Sequence, residues 1–378
     1  MNKVPRFVWT LLLCLVCIVV TAVCCVMIGS DKATSDKYQE VISNIQNNSV
    51  DAAETAALED AAAQAMVASL NDSWSYYLNK EEYEEYKLNK ANEFIGIGVT
   101  TEFNGKYGYL GVTSVVSGSP AAQAQIEIGN LITSVNNTDV STFSPADLEG
   151  YLKSFGDEEF SLGLMNSQGG TRSVKLKCKI IYMPPVTWEM QEGNIGYIKI
   201  SNFDTGCSAY LKDAITDLQY NKVRALVLDV RKNSGGDVAE LQAALDYLLP
   251  KGDMFICKDK NGKETMYSSD SNSVSIPMVL MTTAKTENEA EMFAYVMQAF
   301  GAATVVGERT SGNGHSQIVL PLSDGSAVRV SKYSFLNSDR KTLQTLGGVM
   351  PDIRSKAIAD SSLDVIYEAA MDAAQLMN

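Results

Sequence analysis

Histidine occurs once in the 378 residues, at position 315. A metal centre built on several imidazoles is therefore excluded, and the scattered carboxylates offer no ligand spacing, so neither metal nor cofactor is expected. Basic charge is also short. Lys and Arg number 31 against 45 Asp and Glu, a net charge of −14. A phosphate backbone needs a basic face, so nucleic acid is not an expected partner. Cysteine is scarce where a scaffold would need it. Cys14, Cys17, Cys24 and Cys25 cluster near the N-terminus, which leaves Cys178, Cys207 and Cys257 far apart. That is no disulfide framework. Buried free thiols are expected there, with a single bridge as the open alternative.

Charge is missing altogether from Phe7 to Ile28. As a helix this stretch would span roughly 30 Å, the hydrocarbon core of a bilayer. Lys3 and Arg6 precede it, which predicts a cytoplasmic N-terminus and a body outside the cell membrane. The run is long and lacks a small-x-small cleavage site. Residues 1–30 thus read as an uncleaved single-pass transmembrane anchor, with a cleaved signal as the alternative.

Apolar residues make up 46% of the chain, enough for well-formed cores. Residues 31–92 read as a tether and helical segment, with apolar positions at Leu58, Ala62, Met66 and Leu70. From 93 to 178 short strands alternate with two short helices. Residues 179–378 alternate strands with helices of 10–15 residues, the pattern of a layered α/β core. The expected fold class is thus α/β plus a mainly-β domain, behind the anchor. AsnSerGlyGlyAsp at 233–237 follows a buried apolar strand and opens a helix. It is either a natural anion site or an ordinary strand-to-helix turn. ThrGluAsnGlu at 286–289 has the form of a capping box, Thr286 at the N-cap and Glu289 three residues on. The helix behind it should bury Met292, Phe293, Val296, Met297 and Phe300.

Several segments resemble the carboxyl-terminal-processing serine peptidases, a family with a PDZ domain and a Ser/Lys dyad. AspSerTrpSerTyrTyrLeu at 72–78 is similar to that family's Asp-Pro-Tyr-Ser-x-Tyr-Leu, and GlyGlyValMetProAsp at 347–352 to its closing motif. PheIleGlyIleGlyVal at 94–99 opens a strand order of the PDZ type. There the resemblance implies that Gly96, Ile97 and Gly98 receive a peptide's terminal carboxylate while the peptide adds as a strand. The turn Ala-Gly-Ile-x-Pro-Gly-Asp reads AlaGlnIleGluIleGlyAsn here, at 124–130.

The departure that matters lies at the dyad. The family's nucleophile sits in Ser-Ala-Ser-Ala-Ser-Glu, and its lysine follows 25 positions later in Phe-Gly-Lys-Gly. Counting back from GluMetPheAla puts Asn288 in the serine's place, and Asn313 in SerGlyAsnGly takes the lysine's. Gln317 is retained, and the amides of Gly235 and Gly236, with that after Asn288, would be the oxyanion donors. A carboxamide is neither a base nor an acyl nucleophile. The resemblance therefore implies a membrane-anchored, extracytoplasmic peptidase relative that is a pseudoenzyme. It would bind polypeptide C-termini or unfolded segments, and an active peptidase is a further partner it could regulate. One alternative is an active serine-type endopeptidase with an unconventional site, drawn from Lys285, Ser311 or His315. His315 and Ser316 are neighbours on an expected strand and face opposite ways. The other is a non-enzymatic envelope interaction module.

Overall fold

Helices α1 (Thr55–Ala68) and the helical residues 37–48 belong to a first unit that runs up to Tyr77, and the residues from Leu78 form a second. The computed structural model describes residues 37–51, 53–270, 273–356 and 364–377. In α1 the buried residue is Val67, while Met66 and Leu70 are exposed. The expected apolar stripe is thus corrected in part: Leu58 and Ala62 are half-buried, whereas Met66 and Leu70 are exposed.

Among the described residues no helix is long and apolar enough to cross a membrane. The longest have 14 residues, about 21 Å of rise, short of the roughly 30 Å a bilayer core requires. The anchor expected at 7–28 lies outside the described residues. The expectation of a single-pass membrane protein, with the membrane as partner and the body placed outside it, is accordingly corrected and carried no further.

In the second unit α2 (Lys80–Lys90) starts on a capping box, Asn79 receiving the Glu82 amide and Glu82 the Asn79 amide. Strand β1 (Glu93–Gly96) then pairs antiparallel with β7 (Lys179–Tyr182). Between them lies a β-rich PDZ-like region. Its strands β2 (Val99–Asn104), β3 (Tyr109–Val115), β4 (Leu131–Val135), β5 (Phe160–Met165) and β6 (Thr171–Leu176) pair antiparallel in that order. Alternation along β5 turns Phe160, Leu162 and Leu164 inward. They meet Leu148 and Leu152 of α4 (Pro145–Lys153), which begins on a Ser144 and Asp147 capping box with proline at its first position. Helix α3 (Pro120–Gln123) is a single turn.

The remaining residues form a layered α/β core. Its sheet runs β8 (Val186–Gln191), β9 (Ile195–Ile200), β10 (Ala225–Asp229), β13 (Met278–Thr282), β14 (Ala303–Gly307) and β17 (Ile353–Arg354), as expected from the alternating pattern. All but β8 are parallel. Every residue of β10 and β13 is buried, which explains their continuous apolar runs. Helices α5 (Cys207–Tyr220), α6 (Val238–Leu248) and α7 (Asn288–Ala299) join one core around Phe203, Leu245 and Phe293, and α8 (Val365–Leu376) covers the other face through Ile366 and Ala370. A second antiparallel set, β11 (Gly252–Lys258), β12 (Glu264–Ser269), β15 (His315–Pro321) and β16 (Ala327–Leu336), packs beside it. Cys178, Cys207 and Cys257 are buried and free, and burial raises the thiol pKa of each.

Candidate functional site

Three loops converge at the C-terminal ends of the parallel strands. The first is the turn at 233–237, between β10 and α6. Asn233 is fully buried and spans it, its Nδ2 donating to the Ile200 carbonyl at 3.1 Å and its Oδ1 accepting from Gly235 N at 2.9 Å. Phe203 straps the turn down from outside: its amide donates to Gly235 O and its carbonyl accepts from Asp237 N, both at 2.8 Å. Only glycine fits that contact, because a Cβ at 236 would lie 2.2 Å from the Phe203 carbonyl carbon.

The second loop joins β13 to α7. The expected capping box is not formed. Glu287 is the N-cap, without a side-chain cap bond, and α7 begins at Asn288. The Thr286 hydroxyl instead accepts from Thr283 N and donates to the Val230 carbonyl, because that buried carbonyl needs a donor. Glu289 turns away from the helix end to accept from Gly236 N at 2.9 Å. Helix α7 does bury Met292, Phe293, Val296 and Met297, with Phe300 half-buried at its C-cap.

The third loop, 308–314, is held by Glu291. Its carboxylate accepts from the Thr310 hydroxyl, from Gly312 N at 2.6 Å and from Gly314 N at 3.1 Å. Burial pushes its pKa up, against the pull of those donors. Sequence reasoning passed over Glu291 as a clamp, although the motif quoted for the resemblance ends in glutamate at this place.

Glu291 thereby sets Asn313 against Asn288. Both are buried, and Asn313 Nδ2 donates to Asn288 Oδ1 across 25 positions of sequence. Asn288 Nδ2 donates in turn to the Ser234 carbonyl at 2.7 Å. Asn288 sits at φ +53°, a left-handed conformation that asparagine tolerates better than most side chains. Asn313 Oδ1 has no hydrogen-bond partner among the described residues.

The other candidates lie differently. Gln317 is on β15 and exchanges bonds with Ser331 and Arg329 of β16, at 3.2 and 3.1 Å. His315 Nδ1 donates to the Asn313 carbonyl at 2.7 Å, and Ser311 Oγ accepts from Asn313 N at 3.2 Å. Lys285 is exposed, before the first turn of α7. The amides of Gly235 and Gly236 are both engaged, one by Asn233 and the other by Glu289. Sequence reasoning missed Glu289 in this role, since its place in a capping pattern offered a simpler use.

A second concavity, of about 240 Å³, lies in the PDZ-like region between α4 and the segment 94–101. Gly96, Ile97 and Gly98 line it, with Leu148, Glu149 and Leu152 opposite. Strand β2 stands at the end of its sheet, with one ladder partner among the described residues. Gly98 has φ +84°, and a Cβ there would fall 2.3 Å from Ser119 Cβ.

Residues 194–355 match the family model of Peptidase family S41, and residues 111–164 match that of a PDZ domain. A probable CtpA-like serine protease of Staphylococcus aureus (strain MSSA476) is 27% identical over 344 residues, spanning 89% of this chain and 68% of the relative. The carboxy-terminal processing protease CtpA of Bacillus subtilis (strain 168) is 26% identical over 323 residues, 85% of this chain and 69% of that one. A solved structure described as an S41 protease from Bacteroides fragilis aligns with a TM-score of 0.60 at 15% identity, covering 83% of this chain and 90% of that one. That last likeness is one of fold alone. The sequence matches are to CtpA-like S41 peptidases with an associated PDZ domain.

Proposed function

We propose that this chain, a CtpA-like relative of the S41 peptidases with a PDZ domain, grips polypeptide C-termini without cutting them. The observation that carries this reading is the buried Asn288–Asn313 pair, in which one side-chain amide donates to the other where a peptidase would hold nucleophile and base. Neither amide takes a proton near neutral pH, and neither attacks a peptide carbonyl. Loss of one dyad member from a serine peptidase costs about a million-fold in turnover. Replacement from nearby is not supported. Ser311 and His315 are both turned to the Asn313 backbone, and Lys285 stays at the surface. Binding is assigned to the groove at Gly96, Ile97 and Gly98, where an extended peptide would pair with the edge of β2 and place its carboxylate on the loop.

The test uses the full chain and unfolded casein, with fluorescent peptides that end in an apolar residue. Casein stays intact, and the peptides bind only with a free terminal carboxylate. Fragments released by the wild-type chain would sink the non-hydrolytic reading, and equal affinity for amidated peptides would sink the groove assignment.

A further inference from the structure

The first turn of α7 carries an acid for which neither the helix nor the asparagine pair accounts. Glu289 is 1% exposed, and its Oε2 accepts from Gly236 N at 2.9 Å while Oε1 has no partner among the described residues. The turn closes on it from the other side. A Cβ at Gly235, where φ is +104°, would lie 2.4 Å from Oε2. A carboxylate therefore fills the concave side of a glycine turn whose amide points inward, the geometry by which such turns hold anions.

A peptidase must leave such an amide free for the oxygen that gains charge when a carbonyl is attacked. Here the oxygen on that amide is the chain's own. A second candidate donor, Gly235 N, is spent on Asn233 Oδ1. In the stretch Ser-Ala-Ser-Ala-Ser-Glu that the resemblance places here, alanine follows the nucleophile's position, and a methyl group could not reach the turn.

We infer that Glu289 is a built-in occupant of the oxyanion pocket, a third block to hydrolysis that acts independently of Asn288 and Asn313. The inference rests on the reading that 288 and 313 are the degenerate dyad positions. Burial raises the Glu289 pKa, opposed by the Gly236 amide.

Restoring the dyad alone should then fail. Full-length N288S/N313K and N288S/N313K/E289A are compared with wild type on unfolded casein, with melting curves to verify the fold. The triple variant should exceed the double by roughly 100-fold or more, the usual worth of one oxyanion donor. Equal rates in the two, whether measurable or nil, would overturn the inference. Cleavage by wild type would instead overturn the non-hydrolytic reading, so the two failures are distinct. E289S replaces E289A if the alanine variant does not fold. A second measurement needs no activity. In the otherwise native chain E289A should speed amide exchange in 233–237 by about tenfold, leaving 225–229 unchanged, and unaltered exchange in the turn would contradict the occupancy.

Discussion

The PDZ-like groove and the core turn share one arrangement, a glycine-rich segment set beside a helix. They end in opposite states. At Gly96–Gly98 the concavity is open to solvent and lined by Leu148 and Leu152 of α4, beside a strand with one ladder partner among the described residues. At Gly235–Gly236 the concavity is filled by Glu289 and the amides are consumed from within. The glycines do not record this difference. Gly98 is required because a Cβ would strike Ser119 at 2.3 Å, and Gly236 because a Cβ would strike Phe203 at 2.2 Å. Packing retains glycine in both places, and the neighbouring side chain decides whether the turn can still bind anything.

The sharpest way to break this comparison is Gly236→Ala. The atom it would strike is backbone, held by two hydrogen bonds and unable to swing aside. The expected loss is about 3 kcal/mol or more, seen in thermal or urea unfolding. A variant with unchanged stability would mean that the turn is slack, and that Glu289 rests there by chance.

Gly98→Ala tests the other side. Its φ of +84° and the contact with Ser119 should shift the loop proposed to receive the carboxylate. Peptide affinity should fall at least about tenfold, some 1.4 kcal/mol, as read by fluorescence anisotropy. Undiminished affinity would remove Gly96–Gly98 from the binding site.

Much of this architecture was legible in the chain, and the reasons are physical. The all-buried strands 225–229 and 278–282 announce a parallel sheet by their unbroken apolar runs. The spacing of 25 between Asn288 and Asn313 survives because both are held by local structure, Asn288 at a helix start and Asn313 in a loop clamped by Glu291. Glu289 was not legible as an occupant. A capping box and a plug share the same local sequence, and only the position of Gly236, 53 residues away in the chain, separates them. Gln317 was misleading for a related reason. Its place after Asn313 fits the motif, yet its side chain turns to the β15–β16 pair and bonds to Ser331 and Arg329.

Acidity offers a smaller and sharper test. Burial raises the pKa of Glu289 and of Glu291, and also those of Glu287 and Asp204. A carboxyl raised in the folded state holds its proton more tightly there than in the unfolded chain. Its stabilising share is complete below the ordinary carboxyl range, about 4.3 for Glu, and is lost as pH rises through the raised value. The melting temperature should therefore decline as pH rises above the ordinary carboxyl range. Glu289→Gln keeps an acceptor for Gly236 N but cannot ionise. It should flatten the slope in part, Glu291 remaining, and melt roughly 2–4 °C above wild type at the alkaline end. A slope identical to wild type would show that Glu289 does not titrate in this range.

The smallest effect expected is at the rim of the groove. Glu149 lines it from α4, with its side chain 60% exposed and paired at 2.8 Å to Lys153, which also reaches Glu85 at 2.7 Å. An exposed charge of this kind is worth only about 0.5 kcal/mol, and salt screens it. Peptides with an acid just before the terminal residue should bind about twofold more weakly than neutral ones, and Glu149→Lys should reverse that order. The same variant should leave amide exchange in 233–237 untouched, just as Glu289→Gln should leave peptide affinity untouched. If either substitution is felt at the other place, the open groove and the filled turn are one coupled device, and the contrast between them would have to be redrawn as two states of a single switch.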